Sequence, residues 1–341
     1  MINNNVVGIQ NIGIYVPKET QTSAYIADKS GIPQDIIEKK FGIIEKHKAG
    51  LNEHVSDMAI KAAKITLENF DPMDLDLVVY CGSEYKDYYL FNLAAKVQNA
   101  IGAKNANAFE IHSLCSAGVW SLNVLKSMML SNSDINNVLL ISSSKETDLI
   151  DYKNERARFM FNFGDGASGA LLVKGCTKNQ ILSTHMITDG GFAEDVGVYG
   201  VGSQNYYNYE TLNYDLRNLD VKDPKSMKER LDPISLDNFC KVITKAVEKS
   251  GYTVDEINFL ASIFMKKSIL NKVLERVHLT EENSFVLEKY GHCQSADAYI
   301  SLVEAEKLGR LKDGDLTVML GSGTGYTWAA TAILWGELKL K

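Results

Sequence analysis

The segment Ala108-Phe109-Glu110-Ile111-His112-Ser113-Leu114-Cys115-Ser116-Ala117-Gly118 ends a short apolar run in a lone cysteine with small neighbours. Behind it, Val119-Trp120-Ser121-Leu122-Asn123-Val124-Leu125-Lys126-Ser127-Met128-Met129-Leu130 repeats apolar residues at roughly helical spacing, too densely for a surface helix. The pattern predicts a buried strand, a sharp turn and a buried helix that starts at Cys115. Unpaired backbone N–H groups and the positive end of a helix dipole lie at such a start, and both favour a thiolate. Ser116, Ala117 and Gly118 leave room for a substrate carbonyl. The competing reading is one more buried core cysteine.

On either side the chain alternates strands and helices. Val6–Pro17, Leu75–Gly82, Asn137–Ser143 and the Gly-rich Phe163-Gly164-Asp165-Gly166-Ala167-Ser168-Gly169 run into Val173 read as strands, the third continuously apolar as buried parallel strands are. His54–Phe70 and Asn92–Ile101 read as helices between them. The stretch from about residue 189 to 235 is rich in Tyr, Asn, Gly and Asp, with poor periodicity, and is expected to be an insertion forming a lid or tunnel wall. Alternation then resumes: helix Leu236–Lys249, strand Ile257–Ile263, helix Lys267–Val277, strand Ser284–Leu287, helix Ala296–Lys307, and strands Leu316–Gly321 and Ala329–Trp335. The second half repeats the first, which predicts a duplicated α/β architecture.

The setting follows from composition. A chain of 341 residues, 45% hydrophobic and 23% charged, has ample core for two α/β units. A net charge of −7 without a basic block argues against nucleic-acid or anionic-membrane surfaces. Neither a signal-peptide pattern nor a bilayer-length apolar run is evident, so a cytoplasmic location is expected. Five cysteines (Cys81, Cys115, Cys176, Cys240, Cys293) without a CxxC pair fit a reduced compartment, with no disulfide framework or metal site.

Four motifs in order carry a resemblance over nearly the whole chain. They are Gly13-Ile14-Tyr15-Val16-Pro17, Cys115-Ser116-Ala117-Gly118, Phe163-Gly164-Asp165-Gly166-Ala167, and Gly321-Ser322-Gly323-Thr324-Gly325-Tyr326-Thr327-Trp328. With them the chain resembles the thiolase superfamily, specifically its ketoacyl-acyl-carrier-protein synthase III branch. The resemblance implies a thiolase-like fold: two duplicated α/β halves, residues 1–175 and 176–341, packed as a five-layer αβαβα sandwich. It implies a cytoplasmic homodimer that pairs through the strand before Cys115. It also implies coenzyme A or acyl-carrier-protein thioesters as substrates, with no tightly bound cofactor.

Family members load an acyl group on the cysteine and pass it to a second, often carbanionic, substrate. They place two further polar groups beside the sulfur. One follows a Gly, as Asn in synthase III and His in thiolases; here Gly291-His292 supplies His292. The other is a His, or Asn in true thiolases, after a strand of the second half. Here that stretch reads Ser262-Ile263-Phe264-Met265, so an apolar Ile263 stands at or beside the expected donor, with Phe264 next to it. An imidazole beside a thiol can take its proton, which makes Cys115 and His292 a candidate dyad. Backbone N–H groups of Cys115, Gly323, Thr324 and Gly325 are the candidate oxyanion hole. Loss of one such donor typically costs about 10²–10³ in rate, so acyl transfer is expected to outrun decarboxylative condensation. Arg156 and Arg158 are candidates for coenzyme A or carrier phosphates, and Asp297 for orienting His292. His112 is expected in the core or an interface, and Cys293 as a small packing residue. The rival functions are a decarboxylating 3-oxoacyl synthase and a non-catalytic partner of an active paralogue.

Overall fold

The computed structural model describes residues 5–205 and 217–337. Nine strands, β1 (Val7–Tyr15), β2 (Leu77–Gly82), β3 (Asn107–His112), β4 (Asn137–Ser144), β5 (Gly166–Lys174), β6 (Gln180–Thr188), β7 (Ile257–Ser262), β8 (Leu316–Gly323) and β9 (Thr327–Leu334), join in the order β7-β8-β9-β6-β1-β5-β4-β2-β3. β1 and β5 pair from Val7/Lys174 to Tyr15/Ala167. In contrast, β1 and β6 share one register pair, Gly8 with Gln180. This seam divides the sheet into two wings.

The wings have one plan. In the first, strands numbered along the chain lie third-second-fourth-fifth-first. In the second, the extended segment at Ser284 bridges Leu260 in parallel and takes the third place beside β7, β8, β9 and β6, giving the same order. In each wing the second strand is parallel to the fourth, and the fourth is antiparallel to the fifth.

Strand alternation places the helices. On β2, Val78 and Tyr80 pack outward against Val55, Ala59 and Ala63 of α1 (Val55–Thr66) and Leu93, Ala94 and Val97 of α2 (Leu93–Ile101). Leu77, Val79 and Cys81 point the other way, onto α3 (Ala117–Ser131) and towards α6 (Asp297–Lys307). On β8, Met319 joins that central layer. Val318 and Leu320 cover the far side, against α4 (Pro224–Lys249) and α5 (Lys267–Arg276). The result is the expected αβαβα sandwich. Each fully buried Val or Leu side chain contributes about 1.5–3 kcal/mol of burial, and the central layer α3/α6 collects it from both wings. This explains why α3 shows no polar face.

Three expectations are corrected. The helix expected from Leu236 begins at Pro224, where Asp223 accepts from the N–H groups of Lys225 and Ser226. Pro233 sits inside that helix, so proline there is not its start signal; the Asp-Pro pair is. β6 was not anticipated, because only Ile181 and Thr184 of its nine residues are buried and its polar pattern hides a strand. Ser284–Leu287 makes one bridge in place of a strand. Of the irregular 189–235 stretch, Val196–Gly197 pairs with Asp220–Val221, and residues 206–216 lie outside the described residues. No helix among the described residues is long and apolar enough to cross a membrane.

Candidate active site

Cys115 stands on an elbow. β3 ends at His112, a 3₁₀ turn covers Leu114–Ser116, and α3 follows directly. Leu114 has φ +48, in the left-handed region that a β-substituted residue adopts only when its surroundings hold it there. They do. The Ser295 hydroxyl donates to the Leu114 carbonyl at 2.6 Å, and Ser116 is tied back to Ser113. Gly118 lies so close to the Ser295 carbonyl that a Cβ there would fall inside van der Waals distance. The end of β8 closes from the other side: a Cβ on Gly323 would crowd the Ser113 carbonyl and the Cys115 nitrogen.

His292 reaches the sulfur from the opposite wing. Its Nε2 is 3.1 Å from Cys115 Sγ, and its Nδ1 is 2.6 Å from Asp297 Oδ2. The Phe163-Gly164 turn clasps this residue. The His292 N–H donates to the Asn162 carbonyl at 2.7 Å, the Gly164 N–H donates to the His292 carbonyl at 3.0 Å, and the Phe163 ring leans on the imidazole at 4.8 Å. Gly291 has φ +77 and no space for a side chain between Lys46 and Asn162, so the Gly-His pair is a backbone requirement. Asp297 is fixed in turn by the Phe264 N–H on Oδ2 and the Cys293 N–H on Oδ1, each at 2.7 Å. Burial lowers the His292 pKa, but the Asp297 carboxylate and Cys115 outweigh it, so the imidazole is held well above its ordinary value. An imidazolium donating to Sγ is the partner that a thiolate needs.

Cys115 opens into a cavity of about 730 Å³. Its wall combines apolar Leu114, Leu149, Met160, Phe163, Val196 and Leu219 with polar Ser83, Tyr85, Glu146, Gln294 and Thr324. The Glu146 carboxyl is buried. Ser83 Oγ and Gln294 Nε2 donate to Oε1 at 2.5 Å each, and Ser144 Oγ donates to Oε2. Burial pushes its pKa up to about 7, against those donors.

Geometry thus joins Cys115, His292 and Asp297 as expected, with Gly323 and Thr324 at the elbow. Gly325, at φ +115, follows Thr324 away from the cavity wall. Ile263 and Phe264 do not line the cavity. They serve through their backbone, Ile263 N–H on the Leu320 carbonyl at 2.8 Å and Phe264 N–H on Asp297. Arg156 is paired with Asp220 and Arg158 with Glu155, both outside the wall. His112 is on the sheet edge and not in the core: its Nε2 meets Glu110 at 3.1 Å and Glu84 at 3.2 Å. Cys293 is fully buried, as expected. The residue that the sequence did not offer is Glu146, which reads there as part of a solvated Ser-Lys-Glu-Thr-Asp loop.

A duplicated five-layer sandwich with a cysteine on the first elbow and a histidine on the second is the architecture of thiolase-fold acyl-transfer enzymes. Comparisons with known proteins narrow it. Residues 109–190 match the family model described as 3-oxoacyl-[acyl-carrier-protein] synthase III, and residues 247–335 match the model of its C-terminal part. The β-ketoacyl-[acyl-carrier-protein] synthase III of Clostridioides difficile is 28% identical over 97% of this chain and 99% of that protein. The crystal structure of 3-oxoacyl-[acyl-carrier-protein] synthase III from Aquifex aeolicus superposes with a TM-score of 0.83 at 26% identity, covering 96% of this chain and all of that one. A priming β-ketosynthase of a polyketide pathway shares the fold, with a TM-score of 0.84 at 21% identity over 97% of this chain and 96% of that one. The chain belongs to the 3-oxoacyl-[acyl-carrier-protein] synthase III family, a family of acyltransferase-type enzymes.

Proposed function

We propose that the protein takes an acyl group from a coenzyme A or carrier-protein thioester onto Cys115 and passes it to a second substrate in fatty-acid, polyketide or related metabolism. The observation that carries this reading is the chain Sγ–Nε2 at 3.1 Å and Nδ1–Oδ2 at 2.6 Å. His292 takes the thiol proton, Sγ attacks the thioester carbonyl, and the departing thiolate leaves with the proton that His292 returns. Backbone N–H groups of Cys115, Gly323 and Thr324 meet the oxyanion. In the second step His292 acts on the acceptor. Arg156 and Arg158 share a helical turn with Met160 of the cavity wall, and an anionic carrier would meet them from outside.

Homodimer formation through β3 belongs to the same reading. That strand is the open edge of the first wing, and exposed Tyr88, Tyr89 and Leu90 lie in a nearby loop. A division at about residue 175 is supported by the matched strand order, and a cytoplasmic location by the free cysteines.

The second reading is decarboxylative condensation. The relatives' name, β-ketoacyl synthase III, favours it, whereas apolar Ile263 opposes it. One experiment addresses both: intact-protein mass after treatment with a panel of acyl thioesters, beside carbon dioxide release from malonyl-coenzyme A. An acyl adduct on Cys115 that outpaces carbon dioxide release supports transfer. Equal rates move condensation to first place, and no adduct from any thioester rejects the acyl-enzyme.

A further inference from the structure

The short strand Glu45–Lys48, which pairs with Glu19–Thr22, carries a fully buried lysine. Among the described residues, the one hydrogen-bond partner of the Lys46 ammonium is the Phe163 carbonyl, at 2.5 Å. The ammonium also lies 5.3 Å from the centre of the Tyr152 ring. No carboxylate pairs with it: Asp165, whose charge favours the ammonium, accepts instead from the Ala49 N–H and from the N–H and hydroxyl of Thr147. Burying an ammonium without a counter-charge is expensive. Here burial brings its pKa down to about 7.

The place of this lysine explains the cost. Lys46 touches both turns that hold the catalytic imidazole. Its stem presses on Gly291, where a Cβ would come within 2.6 Å of the Lys46 Cβ. Its head holds Phe163, whose main chain bridges His292 and whose ring lies 4.8 Å from the imidazole. The backbone of the strand follows the same course. The His47 N–H donates to the Tyr290 carbonyl at 3.2 Å, and the Asp165 N–H donates to the His47 carbonyl at 2.9 Å.

We propose that Lys46 is a positioning residue: its ammonium anchors the Phe163 carbonyl, and the Phe163 ring thereby holds the His292 imidazole against the Cys115 sulfur. This rests on the acyl-Cys115 reading and names what keeps its base in place. The distance to be kept is 3.1 Å from Nε2 to Sγ, and a misplacement of about 1 Å costs about 10²-fold in rate. Charge matters, because a hydrogen bond from an ammonium is stronger than one from a neutral amine. The titratable and charged groups around Lys46 are Asp165, Lys48, Cys293 and Tyr152, while His47 turns away to the Pro17 carbonyl. As pH rises through about 7, Lys46 gives up its proton and the anchor weakens.

The test follows acylation of Cys115 by acetyl-coenzyme A across pH, by intact mass. The wild type should lose about tenfold in rate through a step near pH 7, the difference between a charged and a neutral hydrogen bond. Glu146→Gln, which removes the cavity carboxyl that titrates over the same range, should keep that step. Lys46→Met matches the stem without the charge. It should lower kcat for acylation by about 10²-fold, leave KM for the thioester nearly unchanged and abolish the step. Phe163→Leu keeps the lysine and its carbonyl but removes the ring, so it should abolish the step as well. The double variant should lose little more than the worse single one, because both act through one contact. A wild type without the step, a step that survives in Lys46→Met or Phe163→Leu, or losses that add, overturns the proposal while leaving the acyl-enzyme intact. Should Lys46→Met not fold, the step in the wild type and its fate in Phe163→Leu decide alone. Failure of acetyl-coenzyme A and every other thioester to load Cys115 overturns the parent reading, and this one with it.

Discussion

The two elbows of the molecule are built alike and loaded differently. At the first, Leu114 at φ +48 precedes Cys115 in a 3₁₀ turn that runs into α3. At the second, Gln294 at φ +55 opens the 3₁₀ turn Gln294–Ala296 that runs into α6. Cys115 and Ser295 take matching places. Yet Ser295 points at the Leu114 carbonyl and works as mortar, while the chemistry of the second elbow has moved to its flanks, His292 before and Asp297 after. One backbone device thus delivers a nucleophile in one wing, and in the other a base together with the carboxylate that holds it. Neither wing is a site alone.

The comparison is broken most severely at the sulfur. Cys115→Ala should remove the acyl adduct and lower turnover by about 10⁶-fold, the loss seen when the nucleophile of a serine-protease triad is deleted. Restoring a thiol on the other elbow with Ser295→Cys should not bring it back, because no imidazole faces that position; an adduct mapped to residue 295 would show that the elbows are interchangeable. A milder break is Asp297→Asn, with an expected loss of about 10⁴-fold in acylation, as for the aspartate that orients the histidine of a serine-protease triad. Asp297 raises the His292 pKa. Without that charge the imidazolium loses its proton earlier, and the alkaline limb of the acylation profile should move to lower pH. A limb that stays in place would separate Asp297 from the base.

Smaller effects sharpen the picture of how the elbows lock together. Gly118→Ala gains up to about 1 kcal/mol of helix propensity but drives a methyl group into the Ser295 carbonyl. Such overpacking costs about 1–3 kcal/mol, so a lower Tm is expected, readable by calorimetry. Glu146→Gln replaces a buried acceptor of three side-chain hydrogen bonds, so it should lower stability at every pH and, in addition, remove a pH-dependent part. The wild-type carboxyl titrates at about 7 in place of its usual 4.5, so the folded chain binds the extra proton across that window. Stability therefore falls as pH rises from 4.5 to about 7 and is level above. The variant's denaturation midpoint, compared with wild type at pH 5 and pH 8, should lack that contribution.

The first elbow was legible because nucleophile, small neighbours and dense apolar helix are contiguous. His292 was legible through the resemblance, as the residue that follows a glycine where the family places Asn or His; the structure shows why the glycine is there, at φ +77. What escaped was of another kind. β6 carries few buried residues, since one of its edges meets β1 at a single pair and its exposed positions are polar. The irregular composition up to about residue 235 hid the first turns of α4, although Asp223-Pro224 is a start signal. Glu146 looks solvated in sequence and is buried only because strands from distant parts of the chain place Ser83, Ser144 and Gln294 around it. Ile263 read as a gap in the chemistry, but its neighbour's amide holds Asp297, so the departure in side chain left a backbone function behind.

The single pair between β1 and β6 has a consequence for the life of the chain. Few main-chain bonds stitch the wings, and the helices between them do the joining; Lys126 of α3 reaches across to the carbonyls of Ile181 and Leu182. During synthesis the first wing emerges with its cysteine long before residues 292 and 297 exist. A nascent protein is therefore chemically quiet, its thiol without a base, until the last third has left the ribosome and docked. Acylation competence then doubles as a reporter of completed folding.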